Sequence, residues 1–200
     1  MIRRRQPEQK EQLRRLILQE ASGLFLESGY SHFSMRKLAE RTGCSPATLY
    51  LYFRDKDDLL FTVVDDAFVR FKRELAEAAA GSEDPWERLG RLSEAYIRFG
   101  LDYPVHYQLM FMWRIDYLTG SRKGDPKPRM EAFQVLADAV RYAIDRSAMQ
   151  PVDPAALSDI LWATMHGIVA LAIQMPMFDE ARTSRLAALL REMIYKAFHR

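Results

Sequence analysis

The chain has 200 residues, 48% of them hydrophobic, which is enough to build a real core and argues against disorder. Its 29 Lys and Arg against 27 Asp and Glu give a net charge of +2, which fits neither a wholly basic nucleic-acid coat nor an acidic tail. A single cysteine, Cys44, excludes an internal disulfide framework and a multi-cysteine zinc site and points to a reducing, cytoplasmic home.

The small net charge conceals an asymmetry. Residues 1–56 hold 11 basic and 6 acidic side chains, whereas residues 57–200 hold 18 and 21. A basic head on a mildly acidic body suggests a nucleic-acid-facing module joined to something else. The start, Met1 to Arg5, is positively charged, but no apolar stretch follows in Gln6 to Gln12, so no export signal is expected.

The long stretches repeat at helical spacing, and no Val/Ile/Thr run is bracketed by paired turn signals, so the fold class is all-α, with about nine helices. The first helix is predicted over Glu8 to Ser28, stopped by Gly29. Ser34 can cap Met35 to Thr42, Gly43-Cys44 makes a tight turn, and Ser45-Pro46 opens a short helix to about Phe53. Asp55 to Asp58 start a long helix to about Ala80, their charges favourable at its N-terminal end.

After the break at Gly81 to Pro85, a helix runs to Asp102. A shorter aromatic segment follows over Val105 to Tyr117, and then a polar, mobile stretch over Thr119 to Pro128. Three helices finish the chain, at about Arg129 to Met149, Asp153 to Gln174 and Asp179 to His199. Ile160 to Phe178 has 19 residues without Asp, Glu, Lys or Arg, nominally a membrane length. Thr164, His166, Gly167, Gln174 and Pro176 interrupt it, and it reads better as a buried central helix or a subunit interface.

Ser34 to Lys56 has the anatomy of a helix-turn-helix. Leu38, Ala39, Leu49 and Phe53 fall where apolar residues would pack the two helices together. With Leu49 and Phe53 inward, Ala47, Tyr50, Leu51 and Arg54 project outward and can enter a major groove. Tyr50 and Tyr52 can stack on DNA or donate to phosphate; taken apart from the motif around them they would read sooner as half-buried aromatics of a short helix. Lys56 has a surface-lysine reading beside its phosphate reading. Arg3 to Arg5 are either a solvated tail or an arm following a minor groove. Cys44 reads as a small buried hydrophobe, with no second thiol to support a redox role.

The pattern Ser34-x-Arg36-x-Leu38-Ala39, Gly43-Cys44-Ser45, Thr48-Leu49-Tyr50-x-Tyr52-Phe53-x-x-Lys56, continuing to Leu60, resembles the DNA-binding signature of the TetR family of bacterial repressors. The resemblance covers about 50 residues. It implies that Arg36, Ala47, Tyr50 and Leu51 lie at or near bases, and that Ser34, Ser45, Thr48, Tyr52 and Lys56 mainly hold phosphates. Cys44 stands where Val or Ile is usual, Ala47 at a frequent Gly position and Tyr52 at a frequent His position, so base preference does not carry over. The split implied is a DNA-binding domain over 1–56 and an effector-binding and dimerisation domain over 57–200.

A second likeness lies in the body. Tyr103-Pro104-x-x-Tyr107-x-Leu109-Met110-Phe111 and Leu161 to Gly167 are similar to a TetR subgroup named for Trp, His and Gly residues. The family implies a small molecule held between helices and a two-helix contribution to a homodimer. Phe68, Phe99, Tyr103, Tyr107 and Met110 could wall an apolar pocket with Trp113, Phe133, Trp162, Met165 and His166, although such residues are more often plain core. His166 is either a ligand-orienting group or a satisfied core histidine. With few charges near these positions, the expected effector is hydrophobic or aromatic rather than charged.

Leu161, Ile168 and Ala172, with Leu186, Leu189, Leu190, Met193, Ile194 and Ala197, form an apolar surplus that a two-fold dimer would bury. The four histidines belong to no HExxH, nucleophile-elbow or phosphate-loop pattern, so no catalytic residue, metal or cofactor is expected. The expected function is a ligand-responsive repressor on a palindromic operator, with a ligand-independent or activating regulator as the alternative.

Overall fold

A computed structural model describes residues 7–112 and 127–200. Among them the elements are nine helices: α1 (Pro7–His32), α2 (Met35–Thr42), α3 (Pro46–Tyr50), α4 (Lys56–Ala80), α5 (Pro85–Asp102), α6 (Pro104–Phe111), α7 (Lys127–Asp145), α8 (Pro154–Gln174) and α9 (Glu180–Phe198). The all-α reading holds, and the described residues include no strand beyond an isolated Met149–His199 bridge.

Most boundaries follow from local capping chemistry. Side chains of Ser34, Ser45, Asp55, Asp84, Asp153 and Asp179 each accept a backbone N–H at the start of the helix they precede. Gly29 (φ 68°) breaks α1, so the last turn to His32 is set at an angle, and Gly43 (φ 65°) closes α2 with its N–H directed at Ala39 and Glu40 carbonyls. α3 is shorter than expected, because its last turn tightens: Leu51 N donates to Thr48 O at 3.2 Å and Tyr52 N to Leu49 O at 2.9 Å. α7 ends four residues early, where Ser147 takes a positive φ of 54° and Met149 leaves to pair with His199. Trp113 to Tyr117, the expected end of the aromatic segment, and most of the expected polar stretch lie outside the described residues.

α4 is the spine. Its Leu59, Leu60, Val63, Val64, Ala67, Phe68, Phe71 and Leu75 are all buried, and it packs on α1 at one end and on α5, α6 and α7 further along. α8 is apolar enough to match a membrane span by length and composition, but Leu157, Leu161, Met165, Ile168 and Val169 face the core between α5, α7 and α9. The exceptionally close α5–α8 approach is set by Gly100: a Cβ there would lie 2.3 Å from Val169 Cγ1 and 3.2 Å from Tyr107 Cδ2.

Candidate nucleic-acid interface and effector cavity

The helix-turn-helix is held from beneath. Leu38, Ala39, Leu49 and Phe53 are buried, as their spacing predicted, and they fix α3 against α2. On the opposite side Ala47, Tyr50, Leu51 and Arg54 are exposed, Leu51 at 84%. Leu51, the residue that caps the end of α3, therefore adds nothing to the core and lies beside exposed Tyr50 on this face. Arg36 projects beside them, its guanidinium 3.5 Å from Glu40.

The residues assigned to phosphates are less uniform. Ser34 Oγ accepts from Lys37 N, Ser45 Oγ accepts from Thr48 N at 3.1 Å, and the Ser45 and Thr48 hydroxyls lie 2.9 Å apart. These groups already cap their helices and would share remaining hydrogen-bonding capacity with phosphate. Tyr52 is half-buried against the core, 6.4 Å from the Phe53 ring. Lys56 donates to the Tyr30 carbonyl at 2.7 Å and sits 3.9 Å over the Tyr30 ring, while Tyr30 OH bonds Asp57. It therefore ties the end of α1 to the start of α4. Cys44 is half-buried, its sulfur 3.0 Å from Thr42 Oγ1. Arg3 to Arg5 lie outside the described residues.

α1 packs on α4 and α6: Arg14 pairs with Asp66 at 3.1 Å and Ser22 Oγ lies 3.5 Å from His106 Nε2, while Arg70 of α4 stacks 4.3 Å over Tyr103 at the end of α5. Burial, and secondarily the nearby Arg70 charge, hold the His106 pKa below its ordinary value. Burial does the same to His166. A histidine depressed in the folded state stays neutral while its unfolded counterpart protonates, so stability is lost as pH falls through about 6.5 towards the folded value. The melting temperature should thus fall between about pH 7.5 and 5.5, and less steeply in His106→Asn; parallel declines in the two proteins would exclude a contribution from His106.

Further along the chain, α4, α5, α6, α7 and α8 line a half-open cavity of about 280 Å³. Its walls are Phe68, Phe71 and Leu75, Leu92 and Tyr96, Phe111, Met130, Ala132, Phe133 and Leu136, with Trp162, Arg129 and Asp159. Phe68, Phe133 and Trp162 were in the expected set. Phe99, Tyr107, Met110 and Met165 are instead fully packed core, Tyr103 lies under Arg70, and none of these, nor His166, lines the cavity. Trp113 lies outside the described residues. Phe71 and Leu75 continue the Phe68 stripe at helical spacing and could have been read from it; Arg129 carried no local signal.

The expectation of few charges near the cavity is corrected by Arg129 and Asp159 in its wall. His166 has a specific place all the same: its Nδ1 is 2.7 Å from Tyr107 OH, itself 2.9 Å from Tyr96 OH. A larger concavity, about 870 Å³ and as open as the first, lies between α5, α8 and α9, and Glu94 and Arg191 in its wall pair at 2.9 Å.

The apolar surplus of α8 and α9 is displaced from the expected one. Leu161, Ile168 and Leu190 point into the chain's own core, at 4%, 7% and 8% exposure, so they are withdrawn from the exposed stripe. Ala172, Leu186 and Ile194 are half-buried, and Leu189, Met193 and Ala197 are exposed. Ile160, Leu171, Met175 and Met177 join them on the surface. On α8 the phase error is one residue, about 100° of helix rotation.

Residues 17–63 match the family described as bacterial regulatory proteins, tetR family, and residues 89–195 match the tetracyclin repressor-like C-terminal domain. The body match is at the level of that domain and does not bear on the likeness to the Trp, His and Gly subgroup. Among curated relatives, HTH-type transcriptional regulator HbdR of Aromatoleum sp. (strain CIB) is 32% identical over 90 residues, spanning 45% of this chain and 39% of that protein. A TetR family transcription regulator from Marinobacter aquaeolei VT8 shares the fold with a TM-score of 0.76 at 21% identity, covering 97% of this chain and 99% of that one. Bacillus subtilis FadR, solved in complex with stearoyl-CoA, gives a TM-score of 0.76 at 15% identity over 88% of this chain and 96% of its own. Together these two matches, which cover most of the chain, show that it belongs to the TetR family of transcriptional regulators.

Proposed function

We propose that this regulator is a cytoplasmic, homodimeric repressor that reads a palindromic operator through residues 1–56 and is released by a small effector with an aromatic or apolar body held by residues 57–200. The observation that carries the reading is the continuity of α4, which begins beside the reading helix and supplies Phe68, Phe71 and Leu75 to the cavity wall. An effector preferring a displaced α4 would shift the spacing of two reading heads and lower operator affinity in proportion to that preference. The exposed stripe of Ile160, Leu171, Leu189 and Met193 supports an isologous pairing that would set that spacing.

The test is selection of bound fragments from the source genome at two salt concentrations, since salt weakens phosphate attraction more than base reading. A shared palindrome that survives higher salt is expected. Tyr50→Ala and Arg36→Ala should then cost about 1–3 kcal/mol at the recovered site and relax base preference. Salt-sensitive binding without a common sequence, or variants that weaken all DNA alike, would reject the assignment of this face to base reading. An operator affinity unmoved by any cavity ligand would leave the ligand-independent alternative.

A further inference from the structure

A hydrogen-bond chain leaves the cavity wall and ends on a titratable ring. Tyr96 and Trp162 line the cavity, whereas Tyr107 and His166 do not. The Trp162 side chain hydrogen-bonds the Tyr96 hydroxyl, which lies 2.9 Å from Tyr107 OH, and Tyr107 OH lies 2.7 Å from His166 Nδ1. An indole offers only its N–H, so Trp162 donates and Tyr96 accepts. When His166 is neutral with its hydrogen on Nε2, Tyr96 donates to Tyr107 and Tyr107 to Nδ1, and each hydrogen of the chain has an acceptor. A hydrogen on Nδ1, which the protonated ring always carries, reverses the chain. Tyr107 must then accept from His166, and one tyrosine hydrogen is left without an acceptor among the described residues. Of the two tyrosines, Tyr107 is wholly enclosed in the core, and only Tyr96 borders open space. The titratable group against His166 is Tyr107 of α6, with Tyr96 of α5 behind it; Phe111 and Trp162 complete its surroundings. Among the described residues no charged side chain of α5, α6, α7 or α9 bears on it.

We infer that the cavity takes an aromatic molecule carrying a carbonyl oxygen, that Tyr96 donates to this oxygen, and that His166, acting through Tyr107, sets whether the hydroxyl is free to do so. This rests on the reading of the cavity as the effector site. Phe68, Phe111, Phe133 and Trp162 present faces and edges for a ring, and the space, about 280 Å³, equals roughly nine water volumes. The Tyr96 oxygen already accepts from Trp162, so what this end of the wall has to offer a ligand is a donor, and a carbonyl is the group that only accepts. It gives the surplus hydrogen its acceptor. Ligand and proton therefore favour each other: affinity rises as pH falls through the His166 transition, and by reciprocity the bound ligand moves that transition to higher pH. An apolar ligand without an acceptor is indifferent to the state of His166, which touches no ligand and serves as a positioning residue.

The experiment is calorimetric titration of the full chain at pH 8 and pH 5.5 with two neutral probes, acetophenone and ethylbenzene, the second lacking only the oxygen. Acetophenone should bind several-fold more tightly at the lower pH, and ethylbenzene equally at both. Tyr96→Phe should remove the pH dependence and weaken acetophenone relative to ethylbenzene. His166→Gln, whose amide can donate to Tyr107 at any pH, should remove the pH dependence and leave that relative affinity in place. Side chains that only fill space would not separate these two properties, and if Tyr96→Phe fails to fold, His166→Gln decides alone. Equal pH responses of the two probes, tighter acetophenone binding at pH 8, no binding of either at millimolar concentration, or a pH dependence that survives His166→Gln would each overturn the inference. Operator binding measured alongside separates the two readings. Ethylbenzene and acetophenone that release DNA alike at both pH values remove the carbonyl requirement alone; acetophenone that binds with the expected pH dependence without moving operator affinity removes the release mechanism alone.

Discussion

Gly100→Ala is expected to destabilise the chain by about 2 kcal/mol, a fall of roughly 4–8 °C in Tm. The added methyl would lie 2.3 and 3.0 Å from the two Val169 methyl carbons and 3.2 Å from the Tyr107 ring. None of these is the free end of a long side chain, since Val169 and Tyr107 are both fully buried. Ala is the better helix former by about 1 kcal/mol, and overpacking must exceed that gain for the sign to hold. Val169→Ala vacates the place the new methyl needs. Alone it leaves a cavity and costs about 2 kcal/mol, but together with Gly100→Ala it should cost less than either single change. Thermal unfolding of the four proteins completes the cycle. Additive losses would mean that α5 and α8 separate to absorb the methyl, and that this contact does not hold the two helices at their observed distance.

The same contrast between local and tertiary information explains what the sequence disclosed. Ser34, Ser45, Asp84 and Asp179 announce helix starts because the hydroxyl or carboxylate and the N–H it accepts are three residues apart. The outward face of α3 was legible for a similar reason: once Leu49 and Phe53 are inward, helical rotation alone leaves Tyr50 and Leu51 outside. α8 offered no such anchor. It is apolar on all sides, so no polar face set its phase, and Leu161 and Ile168 were placed outward where Ile160 and Leu171 are. Arg129 was invisible for a different reason. Asp65, to which it donates, is 64 positions away, and the packing of α7 on α4 brings the two together.

The aromatic centre gives the other large effect. Tyr107→Phe should cost about 1–2 kcal/mol and Tyr107→Ala about 4 kcal/mol, as measured by denaturant unfolding. The ring of Tyr107 is wholly buried, 4.8 Å from Phe111 and 5.7 Å from the His166 ring, so removing it empties a volume that surrounding helices can only partly close. Removing the hydroxyl alone keeps the volume but strands its partners unequally. His166 is half-buried, whereas Tyr96 is buried and loses the partner at 2.9 Å, keeping its hydrogen bond with the Trp162 side chain. Burial already pushes both tyrosine hydroxyls well above their ordinary pKa, so neither escapes the loss by ionising. Tyr96→Phe should therefore rescue part of Tyr107→Phe, because the second change removes the stranded hydroxyl. Strictly additive losses would show that the two hydroxyls act independently. Rescue would instead tie the cavity wall, which Tyr96 lines, to α6, the helix that also packs against α1.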